Sequence, residues 1–311
     1  MSDKVKGVFA YLKETYLNWL DDEAFRQSAV IAYYSIFSLP ALIIIVVNVV
    51  GIFYGQEAVQ GQITGQIGSM IGEESAEQVQ TMVANASDQG NSTLAIVIGI
   101  GTLLFGATGL FYQLQQSLNK VWDVEAKPSA GILKVVLDRA LSLGIVLAIG
   151  FLLIISLIAT AALSAVSDWV QQQLSDTLVY LFYVANFVLS IGMVTLFFAL
   201  IYKVLPDVNI PWRTVWIGAF VTAILFTIGK FALGLYFGKT DPASTFGAAG
   251  SVILILLWVN YSGLIFLFGA EFTKVYAHKN NHKITVSSHA QRTAEYRYHQ
   301  EKREQKEPSG G

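Results

Sequence analysis

Five stretches of this chain, 27–56, 89–119, 140–167, 177–202 and 242–270, contain no Asp, Glu, Lys or Arg. A sixth, 214–238, is interrupted only by Lys230. Each exceeds the roughly 20 apolar residues a helix needs to cross a bilayer. In hydrocarbon every backbone N–H and C=O must bond within its own segment, so runs of this length fold as spanning helices. Only 14% of the residues are charged, against about 25% in an ordinary soluble domain. That deficit excludes a soluble enzyme and a disordered chain. The absence of cysteine excludes a disulfide scaffold, a thiolate metal site and a Cys nucleophile. A formal net charge of -2 gives no reason to expect nucleic acid as a partner. The partner these runs imply is the lipid bilayer.

The expected fold is all-α, a polytopic membrane protein with six transmembrane helices near 30–53, 94–117, 141–164, 178–201, 214–237 and 248–271. Basic residues outside the spans divide 18 to 1 between alternate sides, with four before the first span, eight after residue 272, and Lys239 alone on the opposite side. The positive-inside rule then places both termini in the cytoplasm. The fifth span carries Lys230, whose insertion costs about 2.5–3.5 kcal/mol at mid-bilayer. Twelve Val, Ile, Leu and Phe residues between 214 and 237 oppose it. At roughly 0.3–0.6 kcal/mol each they outweigh that cost, and the ammonium can snorkel outward.

Three segments divide the chain: 1–27 as a cytoplasmic amphipathic N-terminal segment, 28–275 as the membrane domain, and 276–311 as a basic polar cytoplasmic tail. Residues 1–27 have recurring charge and no compact apolar core, unlike a signal peptide. Val5, Phe9, Leu12, Tyr16 and Trp19 recur about once per helical turn, the pattern of a helix lying in the cytoplasmic leaflet. Asp21 or Asp22 is placed to cap the first membrane helix. The outer loop 55–92 repeats the pattern with Val59, Ile63, Ile67 and Met70, then Val79, Met82 and Val83. These stripes predict one or two amphipathic helices over the outer mouth. From about 285 the tail is polar and expected to be mobile.

Polar groups are costly in lipid, so those inside the spans are the best pointers to function. Tyr33, Tyr34, Gln115, Asn119, Tyr202 and Glu271 fall near the cytoplasmic ends of their spans. Asn186, Asn260 and Tyr261 fall nearer the middle, and Lys230 toward the outside. Brought together, they would line a substrate pathway open to the cytoplasm; kept apart, they are interfacial anchors and inter-helix hydrogen bonds. Lys230 and Glu271 are expected at opposite depths and unpaired, with Asp241 a nearer partner for Lys230. Pro40 leaves the carbonyl of Ile36 without its helical donor, so the first span is expected to kink. Gly106, Gly109, Gly247, Gly250 and Ser251 allow close helix packing. His278 and His282 have the i, i+4 spacing of two metal ligands, but no further His or Cys completes a set. No metal, cofactor or catalytic residue is assigned.

The segments Ala32-Tyr33-Tyr34-Ser35, Leu118-Asn119-Lys120-Val121-Trp122, Leu205-Pro206-Asp207, Phe246-Gly247-Ala248-Ala249-Gly250-Ser251, Leu257-Trp258-Val259-Asn260-Tyr261-Ser262 and Gly269-Ala270-Glu271-Phe272 follow one another in an order that resembles the YihY/BrkB family of bacterial inner-membrane proteins, once labelled ribonuclease BN. The resemblance runs from about residue 20 to 280. Two positions depart from it, Phe246 where Tyr is expected and Asn260 where an aromatic residue is expected. The resemblance implies six helices, an inner-membrane location and cytoplasmic ends, and no defined activity. A ribonuclease is not expected, since no metal-binding cluster supports phosphodiester hydrolysis. The function expected is transport or export of a lipid-like or anionic amphiphilic substrate. The alternatives are a non-transporting scaffold for envelope assembly and an intramembrane enzyme.

Overall fold

The computed structural model of the chain describes residues 3–71, 76–77, 79–81, 109–127, 176–240 and 250–298. Within them the protein is mostly helical. Helix α1 spans Asp3–Asp21, α2 Ala24–Tyr54 and α3 Gln56–Ile71. Residues 109–121 form α4. Strand β1 (Val124–Ala126), helix α5 (Asp176–Val204), strand β2 (Val208–Asn209), helix α6 (Trp212–Thr240), helix α7 (Gly250–Lys279) and strands β3 (Thr285–Val286) and β4 (Ala290–Arg292) follow.

Among the described residues three helices are long and apolar enough to cross a membrane, through Phe187–Val204 of α5, Trp212–Tyr236 of α6 and Val252–Lys279 of α7. The two parts of α2, Ala24–Leu39 and Leu42–Asn48, pass together as a fourth and incline at 50° to one another, with Pro40 between them. Of the other expected spans, 94–117 is described only from residue 109, and 141–164 lies outside the described residues. Several helices outrun the apolar runs that predicted them. The 30 residues of α7 extend about 45 Å at 1.5 Å per residue, past a hydrocarbon core of about 30 Å.

Helix α7 is central, packing against α1, α2 and α6, while α5 packs on α6 and α3 folds back on α2. The inward stripe of α3 joins the core, with Val59 buried against Val46 and with Ile63 and Ile67 against α2 residues. Where two membrane helices touch, the hydrophobic effect supplies little net drive, so small residues that let backbones approach carry the packing. Four glycines mark these places. A Cβ on Gly218 would stand 1.7 Å from Thr273 Oγ1, one on Gly229 2.4 Å from the Tyr261 ring, and one on Gly263 3.0 Å from Ser28 Cβ. On Gly269 it would meet Thr222 Oγ1 at 1.8 Å and the Tyr202 hydroxyl at 2.6 Å. Of the five small residues expected at contacts, Gly109 meets Tyr34 at 3.1 Å. Gly106 and Gly247 lie outside the described residues. Gly250 is buried at the start of α7.

Gly269→Ala is therefore expected to destabilise the α6–α7 contact by about 1–3 kcal/mol, the usual cost of overpacking. A detergent melting curve checks it, and an unchanged midpoint would contradict the close approach.

The tail is not mobile throughout. Residues 285–298 return to the helix ends, where β3 pairs antiparallel with β2 (Val208 opposite Val286) and β4 with β1 (Val124 opposite Arg292). Strands of two and three residues are too short to show a period in the sequence. Main-chain and side-chain hydrogen bonds complete the attachment, as in Thr293 N–H to the Asp123 carbonyl at 3.0 Å and Arg292 Nη1 to the Trp122 carbonyl at 2.7 Å.

Candidate functional site

Two polar clusters occupy the tail-side end of the bundle. The first centres on Glu271, which α7 turns inward on the same face as the buried Leu267 and Val275. Its side chain is fully buried, and neither carboxylate oxygen has a hydrogen-bond partner among the described residues. Asp22, in the turn between α1 and α2, lines the same small cavity as Glu271. Two ionised carboxylates have no donor between them, so a bond between the two forms only through a proton. Trp19, Gln27, Ser117 and Leu267 join the two acids around a cavity of about 10 Å³, the room one water molecule needs. The Oε1 of Gln27 is already engaged, accepting from Ser117 Oγ at 3.0 Å and Gln113 Nε2 at 3.2 Å. Lys274 is the nearest cation on α7, but its Nζ is bonded to Asp123 Oδ2 at 2.8 Å.

The turn that presents Asp22 differs from the expected one. The residue capping α2 is Glu23, in a left-handed conformation (φ 56°) and with no side-chain cap bond. Asp22 lines the Glu271 cavity and is not the capping residue. The Glu23 carboxylate points outward to Lys120 Nζ at 2.7 Å and Arg26 Nη1 at 3.0 Å. The hydrogen bond and charge of Lys120 hold that carboxyl below the usual carboxylate range.

The second cluster centres on Asp207, which is buried in the short connection between α5 and α6. Its Oδ2 accepts from Asn119 Nδ2 at 2.8 Å, and its backbone N–H donates to Asn119 Oδ1 at 2.8 Å. Gln115 Nε2 donates to Oδ1 at 3.3 Å, and His289 Nε2 lies 2.9 Å from the same oxygen. The Asp207 carbonyl accepts from the N–H of Ser287 at 3.0 Å. One residue thus ties α4, the α5–α6 connection and the tail together.

The other expected site residues are distributed over the bundle. Tyr202 is buried and satisfied, donating to the Phe266 carbonyl at 2.7 Å with Thr222 Oγ1 at 3.0 Å. Asn260 donates to Ser28 Oγ at 3.1 Å, and Tyr261 covers Gly229. Tyr34 lies on Gly109, whereas Tyr33 points outward with 60% of its surface exposed, against Phe37. Lys230 is half-buried on α6, with no ion pair to Glu271. Asp241, Asn186's side chain and that of Ser251 lie outside the described residues. Gln115 and Asn119 are thus the two candidates brought together, and they meet on Asp207. His282, one of the two histidines at metal-like spacing, has its Nδ1 2.6 Å from Thr214 Oγ1. Among the described residues no group of three His, Cys, Asp or Glu is placed to hold a metal ion.

Asp22, Gln27, Ser117 and His289 are the members that sequence reasoning left out. Asp207 entered only as part of a motif, although an Asp after Pro in a short inter-helix connection was a usable signal.

The family described as virulence factor BrkB matches residues 15–294. Among curated proteins the chain is 29% identical over 224 residues to a UPF0761 membrane protein of Verminephrobacter eiseniae, covering 70% of this chain and 49% of that one. It is 26% identical over 276 residues to one of Saccharophagus degradans, covering 85% of this chain and 59% of that one. With a counterpart in Pseudoalteromonas translucida the identity is 25% over 262 residues, 84% of either chain. The chain thus spans about half to three-fifths of the length of the first two. No solved structure matches it.

Proposed function

The chain belongs to the BrkB family of membrane proteins, and from that premise we propose that it is a transporter or exporter of a lipid-like or anionic amphiphilic substrate. In this reading six helices cross the bacterial inner membrane with both termini in the cytoplasm, the orientation that the bias of basic residues favours. Helix α1 lies in the cytoplasmic leaflet, where its outward Phe9, Leu12 and Tyr16 meet lipid. The protein acts without catalysis.

One observation carries the reading. Glu271 is a fully buried carboxyl group whose oxygens have no hydrogen-bond partner among the described residues, beside a water-sized cavity at one end of a spanning helix. An unpaired buried charge costs several kcal/mol, so a fold retains such a group where a proton, a cation or a substrate visits it. Lys230, toward the other end of its helix, supplies attraction for an anionic headgroup on the outer side.

Flux of a fluorescent anionic phospholipid analogue across proteoliposomes tests this. Glu271→Gln and Lys230→Ala are each expected to lower the initial rate about tenfold or more, the scale of one charge-assisted contact of roughly 1.5–3 kcal/mol. Flux equal to the unmodified protein in both variants would sink these roles. No flux above protein-free vesicles would sink transport of this lipid class.

The tightly bonded Asp207 cluster favours a second reading, a non-transporting scaffold for envelope assembly. Stoichiometric copurification with an envelope protein, together with absence of flux, would select it.

A further inference from the structure

We infer that Asp22 and Glu271 form an acid pair that binds a single exchangeable proton between their carboxyl oxygens. Its use as the coupling ion rests on the transport reading above; the sharing itself rests on the enclosed, unbonded Glu271 carboxyl and the small cavity that both acids line.

The two acids come from elements far apart in sequence, the α1–α2 turn and the end of α7. Glu271 is wholly enclosed, whereas Asp22 is partly exposed, so the pair has one inner and one outer member. Both acids line one small cavity, and two negative charges held around so little space repel each other. One proton answers both needs: it gives Glu271 the partner it lacks and leaves the pair with one negative charge. The charged groups facing Glu271 are Asp22, Asp123 from the turn after α4, and Lys274 from its own helix. Lys274 gives its hydrogen bond to Asp123 and reaches Glu271 by charge alone, so it supplies no donor to the Glu271 oxygens.

A metal cation fits less well. Magnesium or calcium requires six or more oxygen ligands. The cavity holds about 10 Å³, and the nearest neutral oxygens, Gln27 Oε1 and Ser117 Oγ, are bonded to each other. A proton requires only the two carboxyl oxygens already present. It enters through Asp22, the member that reaches water, and passes to Glu271. The turn carrying Asp22 is pinned from outside by Glu23, through Lys120 and Arg26. Movement of that turn would separate the acids and release the proton to the aqueous side.

Infrared difference spectroscopy of the full chain in lipid nanodiscs, titrated with pH and without substrate, tests the pair. The carbonyl-stretch band of a buried protonated carboxyl is expected, with a shift in heavy water. Glu271→Gln should abolish it. Asp22→Asn should weaken the proton affinity it reports by about tenfold or more, because an amide donates to Glu271 where a carboxylate repelled it. A band that titrates identically in Asp22→Asn would overturn the sharing. So would the lack of any band in the unmodified protein, or its loss when sodium replaces potassium, the mark of a cation site. The heavy-water and sodium responses need no variant, so a poorly folding substitution does not remove the test. A shared proton without lipid flux overturns transport and spares the pair; flux without a shared proton does the reverse.

Discussion

Asp207→Ala is expected to destabilise the protein by about 2–6 kcal/mol, the cost of leaving two buried amide donors without an acceptor at about 1–3 kcal/mol each, and to release the tail. Asp207 is 4% exposed, with Asn119 and Gln115 at 3% and 5%. Alanine removes both acceptor oxygens at once. The Asn119 amide, the Gln115 amide and the His289 ring then lose the acceptor they share. Each buried donor left without a partner costs about 1–3 kcal/mol. The backbone bonds to Asn119 Oδ1 and from Ser287 persist in principle, but the strands they flank have two and three residues and hold weakly alone. The expected result is a lowered melting midpoint in detergent, with faster tryptic cleavage at Lys283 and Arg292. Asp207→Asn keeps one acceptor and the side-chain shape, so it should fall between the two. Unchanged melting and unchanged tail cleavage in Asp207→Ala would contradict the assigned hub.

The second large effect is expected from Trp19→Ala, about 3–5 kcal/mol for a buried Trp truncated to Ala. Trp19 is the main anchor of α1. It packs on Phe25 at 4.9 Å and Phe268 at 6.1 Å between ring centroids, and its Nε1 donates to the Leu264 carbonyl at 3.1 Å. Losing it opens a void directly beside Glu271, because Trp19 also lines the acid cavity. Two readouts should therefore change together, the melting midpoint and the hydrogen-exchange protection of α1. Trp19→Phe preserves most of the packing and loses one neutral hydrogen bond, a cost of about 1 kcal/mol. A full loss of protection in Trp19→Phe, equal to that in Trp19→Ala, would show that the indole bond and not the packed area holds α1.

Particular residues show which parts of the molecule were legible beforehand. The apolar runs marked α2, α5, α6 and α7 because a spanning helix satisfies its own backbone, and that constraint is local. That residues 56–71 form a helix was legible from periodicity, which needs no knowledge of a partner, whereas their packing against α2 was not. Glu271 stood out because a carboxyl group at the edge of an apolar run is costly wherever the rest of the chain lies. Its relation to Asp22 did not, because the two are separated by most of the chain and Asp22 has the composition of an ordinary helix cap. Tyr202 was singled out as a pathway residue, yet it is enclosed beside Gly269 and bonded to the Phe266 carbonyl. A Tyr in a span reads the same whether it faces a pore or a neighbouring helix.

The charge-poor runs, taken alone, determined that this chain belongs in a membrane and where most of its described long helices lie, because hydrocarbon admits few backbone solutions and each is written in a continuous segment. Tertiary structure alone decided which polar residues meet. It placed Asp207 on Asn119, Gln115 and His289, returned the tail to the helix ends, and set Asp22 on the cavity that Glu271 lines. Those contacts depend on which faces of the helices approach, and close packing around glycines such as Gly218 and Gly269 selects the faces, a choice that no single segment encodes.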